Sequence, residues 1–200
     1  MSEVPRCRRA GAADADAITD LLALAFAHDP LWGWAMRRPG ADVSHHARLW
    51  RIYVDGALRY PWTWLTAGGE AAALWTPPGG TEMSEAQEQT LAEVAEDVLG
   101  PWAGVYLEVV HRFSVAHPTD QPHYYLGMLG THPAHRGRGL GMALLAQTLA
   151  MVDEAGLPAY LESTNPANNS RYASVGFEPI GEFSAPNDGP TVTTMWRPAQ

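Results

Sequence analysis

Between His135 and Gly141 the chain reads HRGRGLG, placing a histidine, two arginines and three glycines in seven consecutive positions. Glycine admits positive φ and lets a ligand approach successive backbone N–H groups closely. The apolar run LGMALL that follows is helix-like, and a helix starting there aims its unpaired N–H groups and positive dipole end at the same spot. Arg136 and Arg138 add full charges. The chemistry implied is the binding of a phosphate or pyrophosphate. The dinucleotide fingerprint G-x-G-x-x-G is not met, because the third glycine is absent from Gly137 to Met142, and the lysine and hydroxyl residue of a P-loop are missing. What fits is R-x-x-G-x-G, on Arg136, Gly139 and Gly141. Taken alone, such a turn serves as readily for structure as for a ligand.

Other residues that carry chemistry point to less. Eight histidines invite a metal, but His132 and His135 flank Pro133 and the glycine turn, His45 and His46 would diverge on a helix, and no cysteine cluster accompanies them; no metal site is expected. His28 with Asp29 could touch an acceptor substrate, but a loop pair is the blander account. The single cysteine, Cys7, excludes an intramolecular disulfide. A net charge of −9 argues against a nucleic-acid partner, which needs a basic face, and would steer a cationic one; the same acidity serves solubility. The opening MSEVPRCRRAGAADAD has no apolar run before Ile18, and Leu21 to Ala27 is far too short to span a bilayer, so a cytoplasmic protein without membrane partners is expected.

The elements that must position the turn follow from pattern. A short strand and a turn lead into a helix with Asp14 and Asp16 in its first turn, and the Trp-rich HDPLWGWAMRRPG reads as loop or short helix before a helix from about Ser44 to Leu58. WTWLTAGGEAAALWTPP is a hairpin around Gly68 and Gly69, stopped by Pro77 and Pro78. A helix capped by Ser84 with Gln87 three residues on should end at Gly100, and another should run from Trp102 to about Ala116. Then come a strand (HYYLGMLGT), the turn, a helix to Ala155, a strand (AYLEST), a short helix (NNSRYASV), and strands around Phe177 to Phe183 and Thr191 to Trp196. Strand, crossover helix and strand imply a parallel pair inside a mixed sheet, and an α/β or α+β class.

LGTHPAHRGRGLGMALL resembles the acyl-coenzyme A signature of the GNAT family of N-acetyltransferases, in which R/Q-x-x-G-x-G/A receives the pyrophosphate of coenzyme A. ALAFAHDP, AAALWTPP, YYLGMLGTHP, GLPAYLESTNPANNSRYASVGFE and TVTTMW are similar, in order, to segments of the puromycin N-acetyltransferase-like antibiotic-modifying enzymes of streptomycetes. The likeness covers most of the chain. It implies the GNAT fold: a mixed, mostly antiparallel sheet of six to seven strands, a parallel pair at the cofactor site, and helices on both faces. A single domain over residues 1–200 is expected, with 1–118 mainly on the acceptor side and 119–200 forming the acetyl-CoA-binding core.

The resemblance also implies roles. Leu129, Gly130 and Thr131 would offer backbone groups to the pantetheine arm and thioester, the stretch Arg136, Gly137, Arg138, Gly139, Leu140, Gly141 and Met142 would cradle the pyrophosphate, and Asn168 or Asn165 would bind on the pantetheine side. Backbone N–H groups at the splayed strand would polarise the thioester carbonyl. Tyr172 holds the position of the general acid, and a phenol, with a pKa of about 10, matches a thiol leaving group. Arg171 stands where an aromatic is usual, so the acceptor wall or its packing differs there. Glu162 is the leading base or amine holder, and Glu108 the second candidate. Trp32, Trp34, Trp102 and Tyr125 fall where the acceptor pocket is built, whereas Trp64, Trp75 and Trp196 read as core. The activity implied is acetyl-CoA-dependent acetylation of a primary amine on a small molecule, with a puromycin-like aminonucleoside as the leading acceptor and antibiotic resistance as the setting. Cys7 lies far from the motif, which favours direct transfer in a ternary complex. Peptide or protein N-acetylation, and a silent acyl-CoA-binding module, are the alternatives; a monomer or homodimer is expected.

Overall fold

The computed structural model describes residues 6–37 and 43–200, so Arg38, Pro39 and Gly40 of the Trp-rich segment lie outside the described residues. In chain order the elements are β1 (Cys7–Arg9), α1 (Ala15–Phe26), α2 (Trp32–Ala35), α3 (Ala47–Ala57), β2 (Thr63–Thr66), β3 (Ala71–Thr76), α4 (Glu85–Leu99), α5 (Ala103–Ala116), β4 (Tyr124–Thr131), α6 (Leu140–Glu154), β5 (Ala159–Ser163), α7 (Asn169–Ala173), β6 (Glu178–Ser184) and β7 (Thr191–Arg197). The helix expected from Ser44 opens as a 3-10 turn, Val43–His46, before α3 begins. Likewise Gly100–Trp102 forms a 3-10 turn ahead of α5, with Pro101, which lacks an N–H, where no helical donor is needed.

The seven strands form one sheet in the order β1-β2-β3-β4-β5-β7-β6, antiparallel except for β4 and β5. These two are joined by α6, as a crossover between parallel strands requires. Their pairing is short: Tyr124 lies opposite Ala159 and Tyr125 opposite Tyr160, and there it stops. The cause is visible on the other side of β4, where Leu74 pairs with Met128 but Trp75 with Leu126, leaving Gly127 as an extra residue. Such a bulge bends its strand and raises the local twist. It also breaks the alternation of faces. Before it, Tyr124 and Leu126 pack on the side of α6; after it, Met128 joins the opposite core and Leu129 the α6 side.

Helices cover both faces. One core sets Ile18, Leu22, Leu49, Trp50, Val54, Leu99 and Tyr106 of α1, α3, α4 and α5 against Leu65, Ala72 and Leu74 of the sheet. The other packs Leu144, Leu145, Leu149 and Val152 of α6 on Ala71, Ala73, Trp75, Leu161 and Met195. A third, smaller cluster joins Leu31, Ala35 and Val109 to Ala185 and Val192 beside the β6–β7 hairpin. No helix of the described residues is long and apolar enough to cross a membrane.

The segment before α4 reaches over the sheet, and the start of that helix anchors it. Ser84 Oγ accepts from Gln87 N at 3.3 Å, and Ser84 N donates to Gln87 Oε1 at 2.8 Å, so two otherwise unpaired donors are met reciprocally. Upstream, Arg59 donates to the carbonyl of Thr81, and Thr81 N donates to Tyr60 Oη at 3.0 Å. The carbonyl of Glu82 lies against Gly56 of α3, where a Cβ would come within 1.8 Å of it. We expect Ser84→Ala to cost about 1 kcal/mol of stability and to lower the melting temperature by about 2–4 °C, as read by thermal unfolding.

Candidate active site

The glycine turn is built as its composition implies. Gly137 and Gly139 both have φ of 75°, the left-handed region, and Gly139 is the N-cap of α6. Gly141 admits no side chain, since a Cβ there would lie 2.6 Å from Thr131 Oγ1. The first N–H groups of α6 have no acceptor within the helix, and its first turn carries no acidic side chain. They border a cavity of about 510 Å³ whose wall includes Leu129, Gly130, Thr131, Arg136, Gly137, Gly139, Leu140, Gly141, Met142, Asn165 and Asn168. Open donors, no acidic side chain in the helix's first turn and backbone left bare by glycine fit a pyrophosphate. Arg138 is the exception among the expected residues: it turns away from the cavity and meets His135 Nδ1 at 3.0 Å. Arg136 donates to the carbonyl of Ala25, which ties the turn to the last turn of α1.

A second cavity, of about 680 Å³, lies on the face carrying α1, α3 and α5. Phe26, Asp29, Leu129, Asn168 and Tyr172 border both cavities, so the two meet there. Trp32 and Tyr125 line the second cavity as expected. Trp32 also packs edge-on against Trp50 at 5.5 Å between ring centroids and lies 5.4 Å from Phe113. Among the described residues no arginine reaches this wall, and the chain contains no lysine at all: its Lys and Arg total of 13 is all arginine.

Its charged groups are acidic, and each is buried differently. Asp29 accepts from the backbone N–H groups of Leu31 (3.0 Å) and Trp32 (3.1 Å) and from the Thr164 hydroxyl (2.9 Å), with Arg136 nearby. Burial still raises its pKa, against those four favourable partners. Glu162 has a side chain 2% exposed, and its Oε1 finds no hydrogen-bond partner. Burial, and then the proximity of Glu82, push its pKa up to about 8, with the Tyr125 and Tyr160 hydroxyls partly offsetting the rise. Glu82, which the sequence did not single out, turns its carboxylate inward across the bulge, where a Cβ on Gly127 would come 2.8 Å from Oε1. Burial raises its pKa to about 7. Its one sequence signal is its place between the Pro77–Pro78 stop of β3 and the cap of α4, a loop forced back over the sheet. Tyr172 is pushed up to about 12, by burial first and then by the charge of Asp29.

Three residues expected on the acceptor side stand away from this cavity. Trp34 packs against Gly189 in the third cluster, Trp102 sits at the outer edge of the first core with Arg37 over its ring at 4.2 Å, and neither borders the cavity. Glu108 lies on the open side of α5, paired with Arg112 at 2.8 Å one turn on. The faces that the three occupy on α2 and α5, and in the turn between α4 and α5, do not front the cavity. No group of three or more His, Cys, Asp or Glu that could hold a metal occurs among the described residues.

A parallel pair parted beside an anion cradle, with an acidic aromatic cavity on the other side of the gap, defines a two-substrate group-transfer site. The model of the acetyltransferase (GNAT) family matches residues 69–177, and the chain belongs to that family. It is thus an acetyltransferase that uses acetyl-CoA. Among solved structures, the histone acetyltransferase HPA2 and related acetyltransferase from Corynebacterium glutamicum is 26% identical at a TM-score of 0.68, covering 98% of this chain and 97% of that one. Arylalkylamine N-acetyltransferase 2 of Aedes aegypti (16%, TM-score 0.64, 98% and 99% covered) and the polyamine N-acetyltransferase of Drosophila melanogaster (17%, TM-score 0.64, 96% and 98% covered) share the fold.

This geometry carries two expected outcomes. Gly141→Ala forces a methyl onto Thr131 Oγ1 and should weaken coenzyme A binding by about tenfold or more, measured by calorimetry. Glu82 and Glu162 hold their protons more tightly in the folded chain than at the reference pKa of 4.5. The folded state therefore binds more protons between the two values, and stability falls as pH rises from about 5 to about 8. Glu162→Gln should flatten that slope and leave the variant more stable than the parent at the alkaline end, as read by urea unfolding.

Proposed function

We propose that the protein transfers the acetyl group of acetyl-CoA directly to a primary amine of a small molecule, with both substrates bound at once. The observation that carries this reading is the meeting of the two cavities at Asp29, Leu129, Asn168 and Tyr172. Bound in the cradle, acetyl-CoA supplies an acyl thioester and a thiol leaving group. Backbone N–H groups of β4 beyond Tyr125, freed where its pairing with β5 ends, polarise the carbonyl. Glu82, with a pKa of about 7, takes a proton from the acceptor amine on a carboxylate oxygen; a base with a pKa near the working pH suits that task. Tyr172, whose raised pKa keeps its phenol protonated, gives its proton to the departing sulfur. In balance, starting from the neutral amine, a C–N bond forms and the C–S bond breaks, one proton passes from nitrogen to Glu82 and one from Tyr172 to sulfur, and solvent then returns a proton to Tyr172 as Glu82 gives its own up. Glu162 holds a cationic amine rather than the reacting proton.

Cys7 lies in β1, three strands from β4, which supports direct attack over an acyl-enzyme. In this reading residues 119–200 supply the cradle, and the acceptor wall draws on both halves, Phe26, Trp32 and Glu82 from the first and Tyr125, Glu162 and Tyr172 from the second. The aromatic wall suits a compact amine, and an aminonucleoside antibiotic is the acceptor that the sequence resemblance suggests.

The test is thiol release from acetyl-CoA across a panel holding an aminonucleoside, arylalkylamines, aliphatic mono- and diamines and a peptide amine. Small amines should release thiol; silence across the panel would refute the reading. Tyr172→Phe should cut kcat by about 10²-fold or more while coenzyme affinity stays within about twofold. Unchanged turnover would remove Tyr172 from the chemistry.

A further inference from the structure

We infer that the acceptor is a dication, a diamine or an amine bearing a second cationic nitrogen, with one ammonium held between Glu162 and His117 and the other against Glu82. This deepens the acceptor side of the proposed function and rests on it.

The first observation is an acid left without a counter-charge. Asp29 is satisfied by two backbone donors, a hydroxyl and a nearby guanidinium. Glu82 and Glu162 have no such counter-charge: among the described residues no arginine lines the cavity, no hydrogen bond or ion pair reaches the Glu82 carboxylate, and Glu162 has only the Tyr125 and Tyr160 hydroxyls beside it. The Nδ1 of His117 stands 3.9 Å from the orphaned Oε1 of Glu162. Burying an unpaired carboxylate is costly, and at Glu162 the proximity of Glu82 adds to the cost of burial. A cation arriving in the cavity relieves both.

The second observation is the direction of the lone pairs. His123 Nδ1 lies 2.7 Å from the carbonyl of Gln121, which only accepts, so Nδ1 carries the proton. The contact between the two Nε2 atoms, 3.1 Å apart, is met when His117 Nε2 donates to His123 Nε2. His117 Nδ1 is left bare, facing Glu162. Burial and His123 hold His117 well below the usual imidazole range, at about 4, so the ring stays neutral. Two acceptors 3.9 Å apart are too distant to bond to each other. A single ammonium nitrogen about 2.8 Å from each spans them, at the length usual for charge-assisted bonds. Tyr125, 4.7 Å from the His117 ring, and Tyr160, at 5.1 Å, meet that ring in T-shaped contacts and hold it in place beside Glu162. The other titratable groups lining the cavity are Asp29, Glu88 and Tyr172, and near Glu82 stand the phenols of Tyr53 and Tyr106, which burial keeps protonated.

The test compares α,ω-diaminoalkanes with n-alkylamines of matching length, titrated calorimetrically into the protein saturated with coenzyme A, in buffers of different ionisation enthalpy near neutral pH. A diamine should bind at least about tenfold more tightly than its monoamine and should release more protons to the buffer, because both carboxyls ionise as the cations settle. Glu162→Gln should reduce the diamine-to-monoamine ratio by about tenfold, and His117→Ala should reduce it less; should the first variant fail to fold, the second and the parent's proton count decide. Monoamines, or an aminonucleoside, binding as tightly as diamines with equal proton release would overturn the inference. So would an unchanged ratio in Glu162→Gln. Brisk thiol release from monoamines alongside calorimetric parity sinks the dication and leaves the transferase standing, whereas diamine binding without thiol release from any amine does the reverse.

Discussion

The early parting of β4 from β5 is the constraint on which the rest of the molecule turns. Two opposed residue pairs join these strands, and past Tyr125 and Tyr160 their facing backbones have no partner in the sheet. A strand interior with unmet donors is unstable unless something else meets them. Here β4 is held from its other edge by β3 and from above by α1, whose Leu21 and Leu22 press against Gly130. The gap can therefore stay open without β4 collapsing into it. One end of the gap leads to the cradle at the start of α6 and the other to the acidic cavity, so a single departure from regular pairing creates both halves of the site and the place where they meet.

Electrostatics inside the cavity run against the ordinary rule that buried charge is paired. The exterior carries its excess acidity on solvated groups, whose ion pairs are mostly short-range and exposed, such as Arg8 with Asp14 and Arg51 with Asp55. Such pairs contribute little. The interior carboxylates are held there by backbone, Glu82 by the loop clamped between Gly56, Arg59 and the cap of α4, and Glu162 by its place in β5. Rigid placement of unsatisfied groups is what lets binding energy be realised only when the right ligand arrives.

Much of this was legible in the chain. The glycine turn, the hairpin at Gly68 and Gly69, the Ser84 cap and the order strand, helix, strand are local signals, and each lies where local chemistry places it. The bulge was not. It has no composition of its own, since YYLGMLGT reads as an ordinary strand, yet it flips which side chains of β4 face which core. Glu82 escaped notice for a related reason: its loop is placed by contacts with Gly56, Arg59 and Tyr60, residues distant in sequence. Trp34, Trp102 and Glu108 show the converse, where nearness in sequence to the acceptor segments proved a poor guide to which way a helical side chain looks.

The absence of lysine acquires meaning beside a thioester. A lysine amine is a nucleophile once deprotonated, whereas a guanidinium keeps its proton at any physiological pH and does not attack an acyl carbon. With arginine supplying every basic side chain, the protein offers no ε-amine for self-acylation by its own donor. Reagents that label lysine will find none on this surface, and any acetamide formed on a lysine side chain in its presence belongs to another molecule.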